Sequence, residues 1–223
     1  MISDPESFVS TYRTEIIYKQ FRAVSLNHCG AHIYQLAINL IGRCNPSPII
    51  AQAAAHEYAT IDDILAEAAS RGQAPLIVIC DELSDPHNLG AILRTAECAG
   101  AHGVVIPKRR SAGLTAVVAK TSAGAVSYMP VARVANIPSL LKDLKKQGVW
   151  IFGTAANGNT TLYDADLKGP AAIVIGSEGD GMTRLATENC DFLVSIPMRG
   201  KLNSLNASAA AAILLYEAVR QRS

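Results

Sequence analysis

A chain of 223 residues with 20 Lys and Arg against 19 Asp and Glu, 49% apolar and 17% charged, has an ordinary globular composition. That length holds one α/β domain with room for a small appendage. The balance excludes a disordered or strongly basic protein but leaves RNA open as a partner, because local patches matter more than a net charge of +1. The opening residues MISDPESFVS are polar and acidic, unlike a signal peptide. No apolar run approaches the roughly 20 residues that span a bilayer. Five cysteines (Cys29, Cys44, Cys80, Cys98, Cys190) are scattered without a CxxC pair. They predict reduced thiols in a cytoplasmic protein and no zinc or other metal site.

Residues 1–48 carry the weakest pattern and form an N-terminal extension. Tyr12–Phe21 fits a helix or a strand, and Ala31–Ile41 has apolar residues at helical spacing. Asn45, Pro46, Ser47 and Pro48 break the chain and mark a boundary. Residues 49–74 read as a linker region. It holds an apolar stretch, Ile49–Ala54, and a helix capped by Thr60 that runs through Ala69, with Asp62 and Asp63 in its first turn and Arg71-Gly72 at its end.

From Pro75 the pattern becomes regular. Strands are predicted at Leu76–Cys80, Gly103–Ile106, Val131–Val134, Val149–Gly153, Ala171–Ile175 and Val194–Ile196. Helices are predicted at Asn88–Ala99, Leu114–Ser122 and Ile137–Gln147, and from Asn206 to the last residues. Strands alternating with helices imply an α/β fold, a parallel sheet covered on both faces.

Three stretches carry candidate chemistry. The first is DPHNLGAILRTA, residues 85–96. Pro86 shapes the turn, Asn88 is a candidate cap, and Gly90 permits close approach. Arg94 lies six residues after Asn88 and is placed toward roughly the same side, among apolar neighbours, as a phosphate clamp would be. The second is IVIGSEGDG, residues 173–181. Its glycines match neither the dinucleotide fingerprint nor a Walker loop, but they let a ligand touch backbone, and Glu178 is a carboxylate at a strand end. The third is VSIPMRGKLNSLNASAAAAILLYE, residues 194–217. A strand runs into a loop with Arg199 and Lys201, and Asn206 caps a helix whose first residues are nearly all small. A strand end, a polar loop and a helix N-terminus make the usual ligand site of an α/β sheet. Lys108, Arg109 and Arg110 follow another strand and suit an RNA backbone.

Taken together, NxGxxxR (Asn88, Gly90, Arg94), IGSEGDGM and SIPMRGKLNSLNASAAAAILLYE resemble the three motifs of the SpoU/TrmH family, RNA ribose 2′-O-methyltransferases of the SPOUT superfamily. The likeness covers residues 75–222 and extends weakly to 49–74, so 75–223 is read as the catalytic domain. The stretch from Asp85 through Ala125 looks most like the branch that methylates a guanosine of 23S ribosomal RNA, and less like the tRNA branch. The resemblance implies a deep C-terminal trefoil knot, bound S-adenosylmethionine and a homodimer with composite active sites. By motif match it assigns Gly176, Ile196 and Leu205 to the cofactor, and Arg94, Asn88, Glu178, Ser204 and Asn206 to the reaction site. Members of this branch usually begin with a larger RNA-binding domain, which residues 1–48 do not match. A non-catalytic RNA-binding or ribosome-assembly protein that keeps the fold is the rival reading; a nucleotide-binding enzyme of another α/β type lacks its phosphate-loop signature.

Overall fold

The computed structural model describes residues 57–223. The expectations for the N-terminal extension, the Asn45–Pro48 boundary and the Ile49–Ala54 stretch lie outside the described residues, as do Cys29 and Cys44.

Thr60 caps helix α1 (Ile61–Ser70) through a capping box in which Asp63 reaches back to the Thr60 backbone. Strand β1 (Leu76–Cys80) follows, then α2 (Pro86–Cys98), β2 (Gly103–Pro107), α3 (Ala116–Thr121), β3 (Val131–Val134), α4 (Ile137–Lys146) and β4 (Trp150–Thr154). The chain continues through β5 (Thr160–Thr161), β6 (Ala171–Ile175), α5 (Arg184–Glu188), β7 (Phe192–Ser195) and α6 (Ala207–Arg222). The seven strands form one sheet in the order β3-β2-β1-β6-β4-β7-β5, and every pairing is parallel.

Strands β1, β2 and β6 are apolar along their whole length and buried at every position. Their side chains alternate between two cores. Val78, Ile106 and Ile173 join Leu89, Ile92 and Leu93 of α2 and Leu214 and Leu215 of α6. Ile77, Ile79 and Val174 join Ile64 of α1 and Leu140, Leu141 and Leu144 of α4. Each buried Leu or Ile contributes about 1.5–3 kcal/mol of transfer free energy. Among the described residues no helix is long and apolar enough to cross a membrane, and Cys80, Cys98 and Cys190 are free thiols.

Helix α2 starts earlier than its sequence suggests. Asp85, not Asn88, is the N-cap and accepts from His87 N at 2.9 Å. Pro86 occupies the first turn, where its missing N–H costs nothing. The apolar pattern around Asn88 hides this, and the correction frees the Asn88 side chain for another task. Strand β5 and helix α5 were not anticipated, being two and five residues long.

The far end of α6 is fastened to the sheet. Arg222 donates to the carbonyls of Leu167 and Ala74 at 2.8 Å, and also to those of Pro75 and Gly169. Gln221 donates to Ala165 O at 2.9 Å and accepts from Leu167 N at 2.8 Å.

Beside this latch, His102 is buried. Its Nδ1 accepts from Leu76 N at 3.0 Å, and Nε2 lies 3.0 Å from Gln73 Oε1. Burial, helped by the charges of Arg71 and Arg222, lowers its pKa from the usual value. The neutral ring is therefore the folded form. Its stabilisation is fully present above the unfolded pKa of about 6.5 and is lost as pH falls toward the lowered folded value. The melting temperature is expected to drop as pH falls below about 6.5, and to drop less in His102→Gln. An equal drop in both proteins would assign the acid sensitivity to other groups.

Candidate active site

All strands point the same way, so their C-terminal ends share one edge. The chain runs outward from β1 to β2 and β3, then returns to β4 and β6 on the other side. The crevice between β1 and β6 is thus a topological switch point, where α/β sheets bind ligands. The first turn of α2, after β1, and the loop after β6 bring Asn88 and Glu178 to that crevice.

The loop after β6 closes on itself. Ser177 N donates to Gly181 O at 2.9 Å and Gly181 N to Ser177 O at 3.1 Å. Gly181 is left-handed, with φ 70°. A Cβ at Gly176 would fall on the backbone of Gly181 and Met182. Gly176 is therefore required by the loop's own closure, in addition to any backbone contact with a ligand. Buried Asp81, just past β1, accepts from Thr183 N at 2.6 Å and fixes the loop's exit. No sequence signal singled it out.

Beside this loop three predicted residues meet. Asn206 Oδ1 accepts from Ser208 N at 2.9 Å, Ser208 Oγ at 2.6 Å and Ala209 N at 3.3 Å, capping α6. Those three donors fix the orientation of its amide. Asn206 Nδ2 is left to donate to Asn88 Oδ1 at 2.9 Å and to Glu178 Oε1. Asn88 Nδ2 donates to the same Glu178 oxygen at 2.8 Å. Asn88 is 5% exposed and Glu178 is exposed. Residues 90 and 118 positions apart in the chain thus form one triangle. Glu178 Oε2 accepts no hydrogen bond from the described residues.

Arg94 is not in the triangle. It is exposed and pairs with no described residue. Six helical residues turn the chain through about 600°, which leaves the two side chains about 120° apart. The expectation that Asn88 and Arg94 face the same side is therefore corrected. The apolar neighbours Ile92, Leu93 and Ala96 are buried on the core side of α2, away from Arg94's exposure.

The triangle borders a cavity of about 480 Å³. Its wall includes Gly176, Glu178, Ile196, Ser204 and Leu205, so the three residues assigned to the cofactor lie together with two assigned to the reaction site. Thr154 to Asn157 at the end of β4, and Met182, complete it. They were missed, although a strand end on the ligand edge is itself a signal. Arg199 and Lys201 are exposed on the loop between β7 and α6, whose Met198, Asn203, Ser204 and Leu205 line the cavity. Lys108, Arg109 and Arg110 are exposed beyond β2, and Arg110 pairs with Glu82 at 3.2 Å. Among the described residues there is no cluster of His, Cys, Asp or Glu that could hold a metal ion.

A parallel sheet with a glycine loop, an Asn-Glu-Asn cluster and a drug-sized cavity at its C-terminal edge defines the class: an α/β protein that binds a small ligand beside a polar reaction site. The SpoU rRNA Methylase family profile matches residues 75–216, and the chain belongs to that family. It is 52% identical over 174 residues to a Bacillus subtilis protein assigned to the TrmH family of tRNA/rRNA methyltransferases, covering 78% of this chain and 70% of that one. It is 51% identical over 178 residues to an uncharacterized tRNA/rRNA methyltransferase of Synechocystis, covering 80% of this chain and 46% of that one. Its fold matches the SpoU methyltransferase AviRb from Streptomyces viridochromogenes, solved in complex with the cofactor AdoMet. The TM-score is 0.64 at 32% identity, over 67% of this chain and 58% of that one. The chain thus spans about half to two thirds of the length of several proteins it matches.

Proposed function

We propose that this protein methylates a ribose 2′-hydroxyl of RNA, using S-adenosylmethionine, and that its target is a guanosine of 23S ribosomal RNA. It is an S-adenosylmethionine-dependent RNA methyltransferase of the SpoU family; the ribose position and the ribosomal target are the new part of the reading. The observation that carries it is the Asn88–Glu178–Asn206 triangle on the rim of the cavity.

The cavity suits the cofactor. At about 480 Å³ it lies in the size range of small-molecule sites. Ile175, Val194, Ile196 and Leu205 supply apolar wall, and Gly179 and Gly181 leave open space where a Cβ would sit, so a ligand can approach backbone there. Gly176, Ile196 and Leu205 would hold it. When bound, the cofactor supplies a methyl group already activated on a sulfonium, so the reading needs no metal. The remaining work is alignment and charge. Asn88, Ser204 and Asn206 orient the ribose, and the locked amide of Asn206 enters the site with no orientation left to choose. Arg94 fixes the adjoining phosphate and stabilises the negative charge that develops on the 2′-oxygen. A guanidinium is too weak an acid for its conjugate to act as a general base at neutral pH. Lys108, Arg109, Arg110, Arg199 and Lys201 hold RNA backbone.

Because Arg94 does not touch its own triangle, we read the protein as a cytoplasmic homodimer in which Arg94 of one copy serves the site of the other. The family's trefoil knot belongs to the same reading. It is supported by the close approach of Gly158 to the backbone of Leu193 and Val194, which are distant in the chain.

The test is mass-spectrometric mapping of ribose methylation on total RNA incubated with the protein and labelled cofactor. Label on a guanosine ribose of 23S ribosomal RNA is expected. Label confined to tRNA would move the target to the other branch, and no label on any RNA would favour the non-catalytic RNA-binding reading.

A further inference from the structure

The basic loop after β2 is held at both ends by residues outside it. Arg133, on β3, donates from Nη2 to the carbonyl of Lys108 at 3.0 Å. Its guanidinium also lies over the ring of Tyr58, 5.3 Å from the centroid. The Tyr58 hydroxyl accepts from Leu114 N at 3.1 Å. Tyr58 is placed by its neighbour: Ala59 N donates to Val131 O at 2.8 Å, and Ala59 bridges to Ala132. One stacked pair, Tyr58 ahead of α1 and Arg133 on the edge strand β3, therefore grips the first and last residues of the 108–114 loop.

The middle of the loop is fastened as well. Ala112 N donates to Leu83 O at 2.9 Å, and Arg110 pairs with Glu82. Arg110 and Glu82 are both left-handed, with φ 55° and 56°, a conformation that side chains disfavour and that persists where surrounding contacts impose it. With Arg110 engaged, the side chains of Lys108 and Arg109 are exposed and make no hydrogen bond or ion pair among the described residues. The loop sits on the same sheet edge as the glycine loop. Two strand steps separate β2 from β6, about 10 Å at about 4.8 Å each. An RNA strand lying along that edge toward the cavity would pass over it.

We propose that Tyr58 and Arg133 are positioning residues for RNA: the stacked pair holds both ends of the 108–114 loop so that Lys108 and Arg109 meet the RNA backbone together. This rests on the reading that the loop contacts RNA. A cation gains most from a phosphate when it is in place beforehand, because ordering a loop during binding costs conformational entropy. Tyr58 and Arg133 act through the loop and need not touch RNA themselves.

The experiment measures affinity of the full chain for an unmodified 23S ribosomal RNA transcript, between about 50 and 200 mM salt, with cofactor affinity determined in parallel. The proteins are wild type, Tyr58→Ala, Tyr58→Phe and the double variant Lys108→Ala/Arg109→Ala. Tyr58→Ala is expected to weaken RNA binding about five- to tenfold and to flatten the salt dependence by one to two phosphate contacts, as the double variant does. Tyr58→Phe keeps the ring under Arg133 and loses only the acceptor for Leu114, so it should fall between. Cofactor affinity should not move. Wild-type affinity and salt slope in Tyr58→Ala, with the double variant impaired, would overturn the brace while leaving the loop as an RNA contact. No effect in the double variant would remove both ideas. Loss of cofactor affinity together with RNA affinity in Tyr58→Ala would show the pair to be scaffold only, and would overturn the proposal.

Discussion

Arg94→Ala is expected to slow single-turnover methylation of a ribosomal RNA fragment by about 10²–10³, roughly 3–4 kcal/mol, while cofactor affinity stays at the wild-type value. Arg94 is exposed and unpartnered among the described residues, so its removal leaves no buried group unsatisfied and should not disturb folding. Arg94→Lys keeps the charge but loses the planar fork, and should also be slow. The dimeric reading adds a second measurement. Arg94→Ala mixed in equal amounts with Glu178→Gln should recover about a quarter of wild-type activity, because half of the dimers are mixed and each carries one intact site. If all the Arg94 variants turn over at the wild-type rate, Arg94 is a surface cation. If the single variants are slow and mixing restores nothing, Arg94 serves its own chain's site.

Gly176→Val is expected to weaken cofactor binding by about 100-fold or more, roughly 3 kcal/mol by calorimetry. The added carbons would meet Gly181 and Met182 backbone, so the loop must open and the cavity wall it forms is lost. Overpacking of this kind also lowers stability, by about 1–3 kcal/mol. Gly179→Ala separates the two effects. Its added carbon meets nothing within 4 Å in the protein, so the melting temperature should hold. Weaker binding in that variant would report a ligand lying against the loop. Wild-type cofactor affinity in Gly176→Val would remove the glycine loop from the site.

Most of the sheet was legible because its strands are short apolar runs divided by helices, the pattern of a parallel sheet buried on both faces. Strand β5 and helix α5 were not, since one residue pair or one helical turn is too short to show a period. The helix start was misplaced because Asp85 and Asn88 are both good caps, and only the fold shows which side chain accepts the helix N–H. The site residues were found through motif resemblance. Their mutual geometry was not, because the Asn88, Glu178 and Asn206 contacts span sequence distances that no local pattern encodes. The same limit hid Asp81, whose partner is Thr183, and gave Arg94 a direction that helical rotation does not support.

The fastening of Arg222 bears on how the fold breathes. Helix ends commonly fray turn by turn. Here the last turn of α6 is tied to the segments that lead into β1 and β6, at Ala74 and Gly169 among others, while Asn206 holds the first turn. A helix of 16 residues, about 24 Å long, is thus clamped at both extremities. Local unzipping from either end must first release side-chain bonds to other elements, so opening of α6 is coupled to opening of the central strands. Ala207 and Ala210, which line the cavity, therefore lie on an element that is tied down at both ends. The wall they supply is held from both ends of the helix, as the glycine loop is held by its own closure and by Asp81.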